Sequence, residues 1–271
     1  MILLLKLSLL SLLITLIVIA VRIFIVPGID KICLFLNYSS KTRGQFLGYA
    51  TSIPELAIVI SSAAAGVFDV GFSNIATSNI INWILFLSAV FSFRQCRDLK
   101  RKTFIDEISF GLFSVIIPLV MYKYEVQSSV LIGTGLLLLF IIYKILDSRL
   151  NNRAGTLENG VNIKTMNLVS LILYIITGVV LIVVASIYLG KIAKELVVES
   201  GILPWIIGWI LGFVSSIPEM SGFFEVYRKH KKAGTLRGID DTQEGLDTLV
   251  ASNMSNLGII LPVGVFIAAL I

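Results

Sequence analysis

The sequence predicts an all-α integral membrane protein of about eight transmembrane helices, built around two inverted-topology repeats. Three observations carry that expectation. Apolar runs of about twenty residues recur along the 271-residue chain, which is 56% hydrophobic and only 14% charged, and a helix needs a run of that length to cross the hydrocarbon core. The positive residues fall in short segments between those runs. Finally, a thirteen-residue stretch, Gly44 to Leu56 (GQFLGYATSIPEL), returns as Gly208 to Met220 (GWILGFVSSIPEM) with seven identities.

The first run, 2–26, carries only Lys6 and Arg22. It is longer than a signal-peptide core and lacks a small-x-small cleavage pattern, so it reads as a retained helix. Arg22 lies near its end, where snorkelling to the interface accounts for it. Spans two and three, 44–66 and 71–93, hold the first repeat. Spans four and five, 104–122 and 127–146, lead into a polar, glycine-containing stretch, 147–164, that reads as a cytoplasmic linker. Span six, 165–190, precedes the second repeat, whose spans seven and eight are 201–227 and 246–270. Between these two, Arg228 to Gly245 is polar and short and also reads as a linker, with the single histidine, His230, exposed among its lysines. The chain thus divides into an N-terminal half, 1–146, with its repeat at 44–93, and a C-terminal half, 165–271, with its repeat at 201–270.

A net charge of +5 is a topology signal here rather than a nucleic-acid footprint, and no nucleic-acid partner is expected. The odd-numbered loops hold 17 of the 22 basic residues, while the even-numbered loops hold only Lys123, Lys191 and Lys194. The positive-inside bias therefore puts the odd loops in the cytoplasm and both termini outside, most simply in the cell membrane. Cys33 and Cys96 lie near the ends of apolar runs without a CxxC or histidine cluster, so free thiols are expected and neither a disulfide nor zinc.

The repeat continues into the next helix. Gly71, Ser78, Asn79 and Asn82 of GFSNIATSNIIN match Gly245, Ser252, Asn253 and Asn256 of GLDTLVASNMSN. Five helices separate equivalent elements, an odd number, so the copies enter the membrane from opposite sides. Interfaces between such inverted repeats commonly hold the substrate and coupling ions of secondary transporters. GxxxG at Gly44/Gly48 and Gly208/Gly212 predicts close helix packing, and Trp83, Trp205 and Trp209 read as belt or packing residues.

Glu55 and Glu219 fall about halfway along their spans, with no lysine or arginine nearby in either span. A carboxylate at that depth costs about 2.5 to 3.5 kcal/mol even on the lenient insertion scale, so it faces a bundle interior or a water-filled cavity with a partner. A soluble cation fits that role. Pro54 and Pro218 remove a helix hydrogen bond about four residues earlier, near Ala50 and Val214, offering carbonyls as ligands. The hydroxyls of Thr51, Ser52, Ser215 and Ser216 flank the glutamates, and Ser78/Asn82 and Ser252/Asn256 each share a helical face. Every donor is oxygen, which suits hard cations, calcium with its six to eight irregular ligands above all. Two carboxylates balance one divalent ion, and equally sodium ions or protons.

These residues resemble the cation/calcium antiporter superfamily, whose two inverted repeats carry motifs close to G-x-x-x-T-S-x-P-E and G-S-N-x-x-N. The TS-x-PE form is similar to the sodium/calcium branch. The resemblance implies Glu55, Glu219, Asn82 and Asn256 as principal calcium ligands, and Thr51, Ser52, Ser78, Ser215, Ser216 and Ser252 near sodium sites. Asn256 stands where many sodium/calcium members carry aspartate, which leaves the coupling ion open. Thr77 and Ala251 replace the glycines before the SN pairs, and Ser73 and Asp247 those before the preceding pairs. The family usually has two more helices after span eight, and a homo-oligomer is one way to cover the face they would leave.

The expected function is exchange of calcium for sodium by alternating access at a midplane site. Calcium/proton exchange is the alternative, and a non-transporting calcium-binding membrane subunit is the alternative of another class. No enzyme constellation is present, so catalytic residues and cofactors are not expected.

Overall fold

The computed structural model describes residues 2–36, 38, 40–150, 168–234, 236 and 240–271. Eight helices are long and apolar enough to cross a membrane, and no strand occurs among the described residues. They are α1 (Leu3–Cys33), α2 (Gly44–Ala64), α3 (Phe68–Ser92), α4 (Lys102–Lys123), α5 (Val130–Ser148), α6 (Val169–Glu199), α7 (Pro204–Lys232) and α8 (Asp241–Leu270). Each predicted span meets one of these.

Three boundaries differ from expectation. The first helix does not stop at Val26; after a π-helical turn at Val21–Ile25 it runs on through Pro27. Proline is tolerated there because it falls in the first turn of the Val26–Phe35 segment, where its missing N–H has little to satisfy. The stretch Arg228–Gly245 is mostly helical. Lysine, arginine and alanine continue α7 to Ala233, Gly234 ends it at φ 73°, and helix resumes at Asp240. His230 consequently sits on the last turns of α7, with Nε2 3.2 Å from Glu244 Oε2, rather than on an exposed loop. The predicted linker 147–164 begins as the end of α5, which reaches Leu150, and its remainder lies outside the described residues.

α2 and α7 are each broken once, at Ser52 (φ −84°, ψ 2°) and Ser216 (φ −80°, ψ 1°). The halves are Ser40–Thr51 and Ile53–Ala64, then Pro204–Ser215 and Ile217–Ala233. Pro54 and Pro218 stand in the first turn of each second half, where a missing N–H is harmless and the fixed φ starts a helix. The break thus comes two residues before each proline, closer than the strain at Ala50 and Val214 that sequence suggests.

The repeats exchange partners. α3 of the first repeat packs along Pro204–Ser215 of the second, and α8 of the second packs along Ser40–Thr51 of the first. Glycine makes both contacts close. A Cβ on Gly48 would lie 2.8 Å from the Thr248 carbonyl, and one on Gly212 would lie 2.9 Å from Thr77 Cβ. The most apolar stretches of α2 and α8 are 67% and 61% buried, against 22% for α5 and α6, so the motif-bearing helices are central. Trp83 donates Nε1–H to the Gly111 carbonyl (3.0 Å) between α3 and α4, a packing role, whereas Trp205 and Trp209 are exposed. Neither Cys33 nor Cys96 forms a disulfide.

Candidate functional site

Where the four motif segments converge, three apolar clusters give way to a polar interior. All ten residues singled out from sequence are buried there: Thr51, Ser52, Glu55, Ser78, Asn82, Ser215, Ser216, Glu219, Ser252 and Asn256. Eight of them are fully buried, with 0% exposure, leaving only Thr51 at 6% and Ser52 at 1%.

The breaks decide what the hydroxyls do. Thr51 Oγ1 and Ser52 Oγ donate to the Gly48 carbonyl (3.0 and 3.1 Å), and Ser215 Oγ and Ser216 Oγ donate to the Gly212 carbonyl (3.3 and 2.9 Å). A hydroxyl that gives its proton to the backbone keeps oxygen lone pairs turned elsewhere. Ser52 Oγ also meets Ser252 Oγ at 2.8 Å, tying one repeat to the other, and Ser252 Oγ reaches Glu219 Oε1 at 3.4 Å. Ser78 Oγ bonds its own helix at Ile75.

The asparagines form a pseudo-twofold lattice that fixes which way each amide faces. Asn79 Nδ2 donates to the carbonyls of Ser114 (2.9 Å) and Asn253 (3.4 Å), so its Oδ1 faces Asn256, whose Nδ2 approaches to 2.9 Å. In mirror fashion Asn253 Nδ2 donates to the Asn79 carbonyl (3.1 Å), and its Oδ1 receives Asn82 Nδ2 at 3.0 Å. Backbone carbonyls can only accept, so both amide orientations follow from the network itself. Asn82 and Asn256 are thereby obliged to turn Oδ1 away from their partners. Sequence reasoning noted Asn79 and Asn253 as repeat matches without giving them this positioning role; their identity in both copies was the available signal.

What remains is a set of buried oxygens with nothing to bind. Glu55 Oε1 and Oε2, Glu219 Oε2, Asn82 Oδ1 and Asn256 Oδ1 have no hydrogen-bond partner among the described residues. Five orphaned acceptors stand on four pseudo-symmetric residues, and a buried acceptor left unsatisfied costs about 1 to 3 kcal/mol. No group of three or more His, Cys, Asp or Glu side chains gathers into a metal cluster among the described residues. The chemistry available is two carboxylates supplemented by amides and hydroxyls, a hard-cation donor set.

A cavity of about 430 Å³ reaches Glu219 and Thr51. It is lined by α1 (Arg22, Asp30), the second half of α7 (Glu219, Ser221, Glu225), α2 (Leu47, Thr51) and the start of α8 (Glu244, Thr248). These residues lie from mid-span toward the ends bearing loops one and seven, so the cavity leads from Glu219 to that end of the bundle. Arg22, exposed near the end of the first apolar run, also lines this cavity. The corresponding place in the other repeat, between the second half of α2 and α6, is a groove of about 550 Å³ whose lining is apolar apart from Ser61, Ser186 and Lys191, and Glu55 does not border it.

The sequence profile of the sodium/calcium exchanger protein family matches residues 6–147 and 170–271, nearly the whole chain. The chain belongs to the sodium/calcium exchanger family. No curated protein matches it significantly in sequence. Among solved structures, the sodium-calcium exchanger NCX_Mj soaked with sodium and strontium is 21% identical, with TM-score 0.51, over 98% of this chain and 83% of that one. The same exchanger in 10 mM sodium without calcium is 24% identical, TM-score 0.50, over 98% and 83%. The H+/Ca2+ exchanger CAX is 15% identical, TM-score 0.60, over 96% and 69%. These likenesses show an exchanger fold. As a family member this chain is an integral membrane protein of the cation/calcium antiporter superfamily.

Proposed function

We propose that the chain exchanges calcium for sodium by alternating access, with Glu55, Glu219, Asn82 and Asn256 as the calcium ligands. The five unpartnered oxygens of these four residues carry the proposal. Two carboxylates neutralise one divalent ion, and the amide oxygens, aimed by Asn79 and Asn253, extend the shell without adding charge. Thr51, Ser52, Ser78, Ser215, Ser216 and Ser252 supply neutral oxygens that suit sodium when calcium has left. Hydroxyls already donating to Gly48 and Gly212 favour this reading, because their lone pairs need no rearrangement to accept a cation.

Calcium/proton exchange is the second reading. It draws on Asn82 and Asn256, whose amides leave two carboxyls to take up two protons per calcium, and on the fold shared with CAX. On the positive-inside orientation, loops one and seven are cytoplasmic and both termini outside, so the 430 Å³ cavity at Glu219 opens inward.

Calcium flux in proteoliposomes, with sodium and proton gradients imposed separately, tests both readings. A sodium gradient is expected to drive calcium movement that Glu55→Gln abolishes. If neither gradient moves calcium, antiport is wrong; if protons alone do so, sodium is not the coupling ion.

A further inference from the structure

The cavity leading to Glu219 contains a charge that a cation pathway would not be expected to keep. Its lining carries four carboxyl side chains, Asp30, Glu219, Glu225 and Glu244, and one fixed cation, Arg22. Glu244 is engaged by His230 at 3.2 Å. Arg22 makes no hydrogen bond or ion pair among the described residues, although it shares the cavity with all four carboxyls. Its backbone lies in the π-helical turn Val21–Ile25, an irregularity that often marks functional positions. The groove in the corresponding place of the other repeat is lined on α6 by Val179, Ile182, Val183, Ser186 and Ile187, with its one charge, Lys191, beyond them and no carboxyl in its lining. Arginine is a permanent charge on a flexible stem. It opposes incoming cations by Coulomb repulsion and competes with them for the carboxylates around it.

We propose that Arg22 is a one-sided charge gate: it lowers the affinity for cations reaching Glu219 through this cavity and leaves those arriving from the opposite face unaffected. The sidedness rests on the antiporter reading, whereas the local field of Arg22 does not. For charges about 10 Å apart in water, one unit charge changes the local concentration of a monovalent ion about twofold and of a divalent ion about fourfold. The divalent factor is the square of the monovalent one, a signature that a packing role would not produce.

Two measurements test this on the full chain. In the first, Ser221→Cys is placed in the cavity on a Cys33→Ser, Cys96→Ser background, and its modification by cationic and anionic methanethiosulfonate reagents is timed. Arg22→Gln is expected to raise the cationic-to-anionic rate ratio about fourfold, less at high salt, and Arg22→Lys to keep the wild-type ratio. An unchanged ratio with Gln, or a Lys variant that behaves like Gln, overturns the proposal whether or not the protein transports. In the second, the half-saturating calcium concentration for flux is measured on each face of oriented proteoliposomes. Arg22→Gln is expected to lower it about fourfold on the cavity face alone; an equal change on both faces overturns the gate. Absence of wild-type calcium flux would instead refute the antiporter reading and leave the first measurement to decide on Arg22.

Discussion

The groove between α2 and α6 and the cavity between α7 and α1 occupy corresponding places in the two repeats, yet their chemistry has diverged. The first is apolar and stops short of Glu55. The second carries five charged side chains and ends on Glu219. Three substitutions account for much of the contrast: where the second copy has Ser221, Gly222 and Glu225, the first has Ala57, Ile58 and Ser61. The π-helical turn Asn256–Ile260 begins at the second copy's asparagine, whereas α3 passes Asn82 as regular helix. The site itself stays symmetric while the approaches do not. On the proposed function, both halves contribute alike to ion binding while the two approaches differ.

That contrast can be broken at the site or sharpened at its approaches. The largest effect is expected at the carboxylates, which ought to be equally indispensable despite their unequal surroundings. On the proposed function, Glu55→Gln and Glu219→Gln each cost about 3 to 5 kcal/mol of calcium binding, over about a hundredfold. Calorimetric titration measures it, and a large inequality between the two would deny the site its symmetry. Next come the residues that orient the amides. Asn79→Asp and Asn253→Asp replace a donor facing backbone carbonyls with an acceptor. Calcium affinity is expected to fall about tenfold to a hundredfold, as when outer-shell partners of a metal site are lost.

The glycines give a smaller effect of opposite sign in the two copies. A Cβ on Gly44 would find its nearest neighbour, Thr248 Oγ1, at 3.5 Å, so Gly44→Ala is expected to stabilise by about 0.5 to 1 kcal/mol through helix propensity. One on Gly208 would strike Ser73 Cβ and lie 2.9 Å from the Asn74 nitrogen. Gly208→Ala is therefore expected to destabilise by about 1 to 3 kcal/mol. Thermal unfolding in one detergent compares the pair, and equal shifts would contradict the packing described. Smallest is Glu225→Ser, which gives the second approach the residue of the first. Half-saturating calcium on the cavity face should rise about fourfold, and a larger effect would make Glu225 a ligand.

Much of this was legible in sequence because bilayer thickness and internal repetition constrain a membrane chain strongly. Apolar length located all eight spans, and the matched SIPE and SN segments pointed to the ten buried polar residues. The remainder depended on facts that residue patterns do not encode. RKHKKA has lost apolar periodicity but not helix propensity, so the end of α7 looked like a linker. Pro54 and Pro218 indicated broken helices but not a break at the serines, because that depends on where the hydroxyls find carbonyls. Asn79 could be matched to Asn253, yet only the fold puts Ser114 where it sets the amide. Arg22 near the end of an apolar run reads as a snorkelling arginine, and only the fold shows that it also lines a cavity with α7 and α8.

The exchange of partners between repeats has a consequence for how the protein is made. The Ser40–Thr51 half-helix finds its most extensive seat on α8, and α3 on the start of α7. At ribosomal rates of about 5 to 20 residues per second, the first copy waits roughly 10 to 30 seconds for the second to be synthesised. Throughout that interval Glu55 and Asn82 lie in a half-built bundle without their counterparts, in the window when insertion machinery and chaperones have access to them. Completion of the site in the bundle therefore waits on synthesis of the second copy.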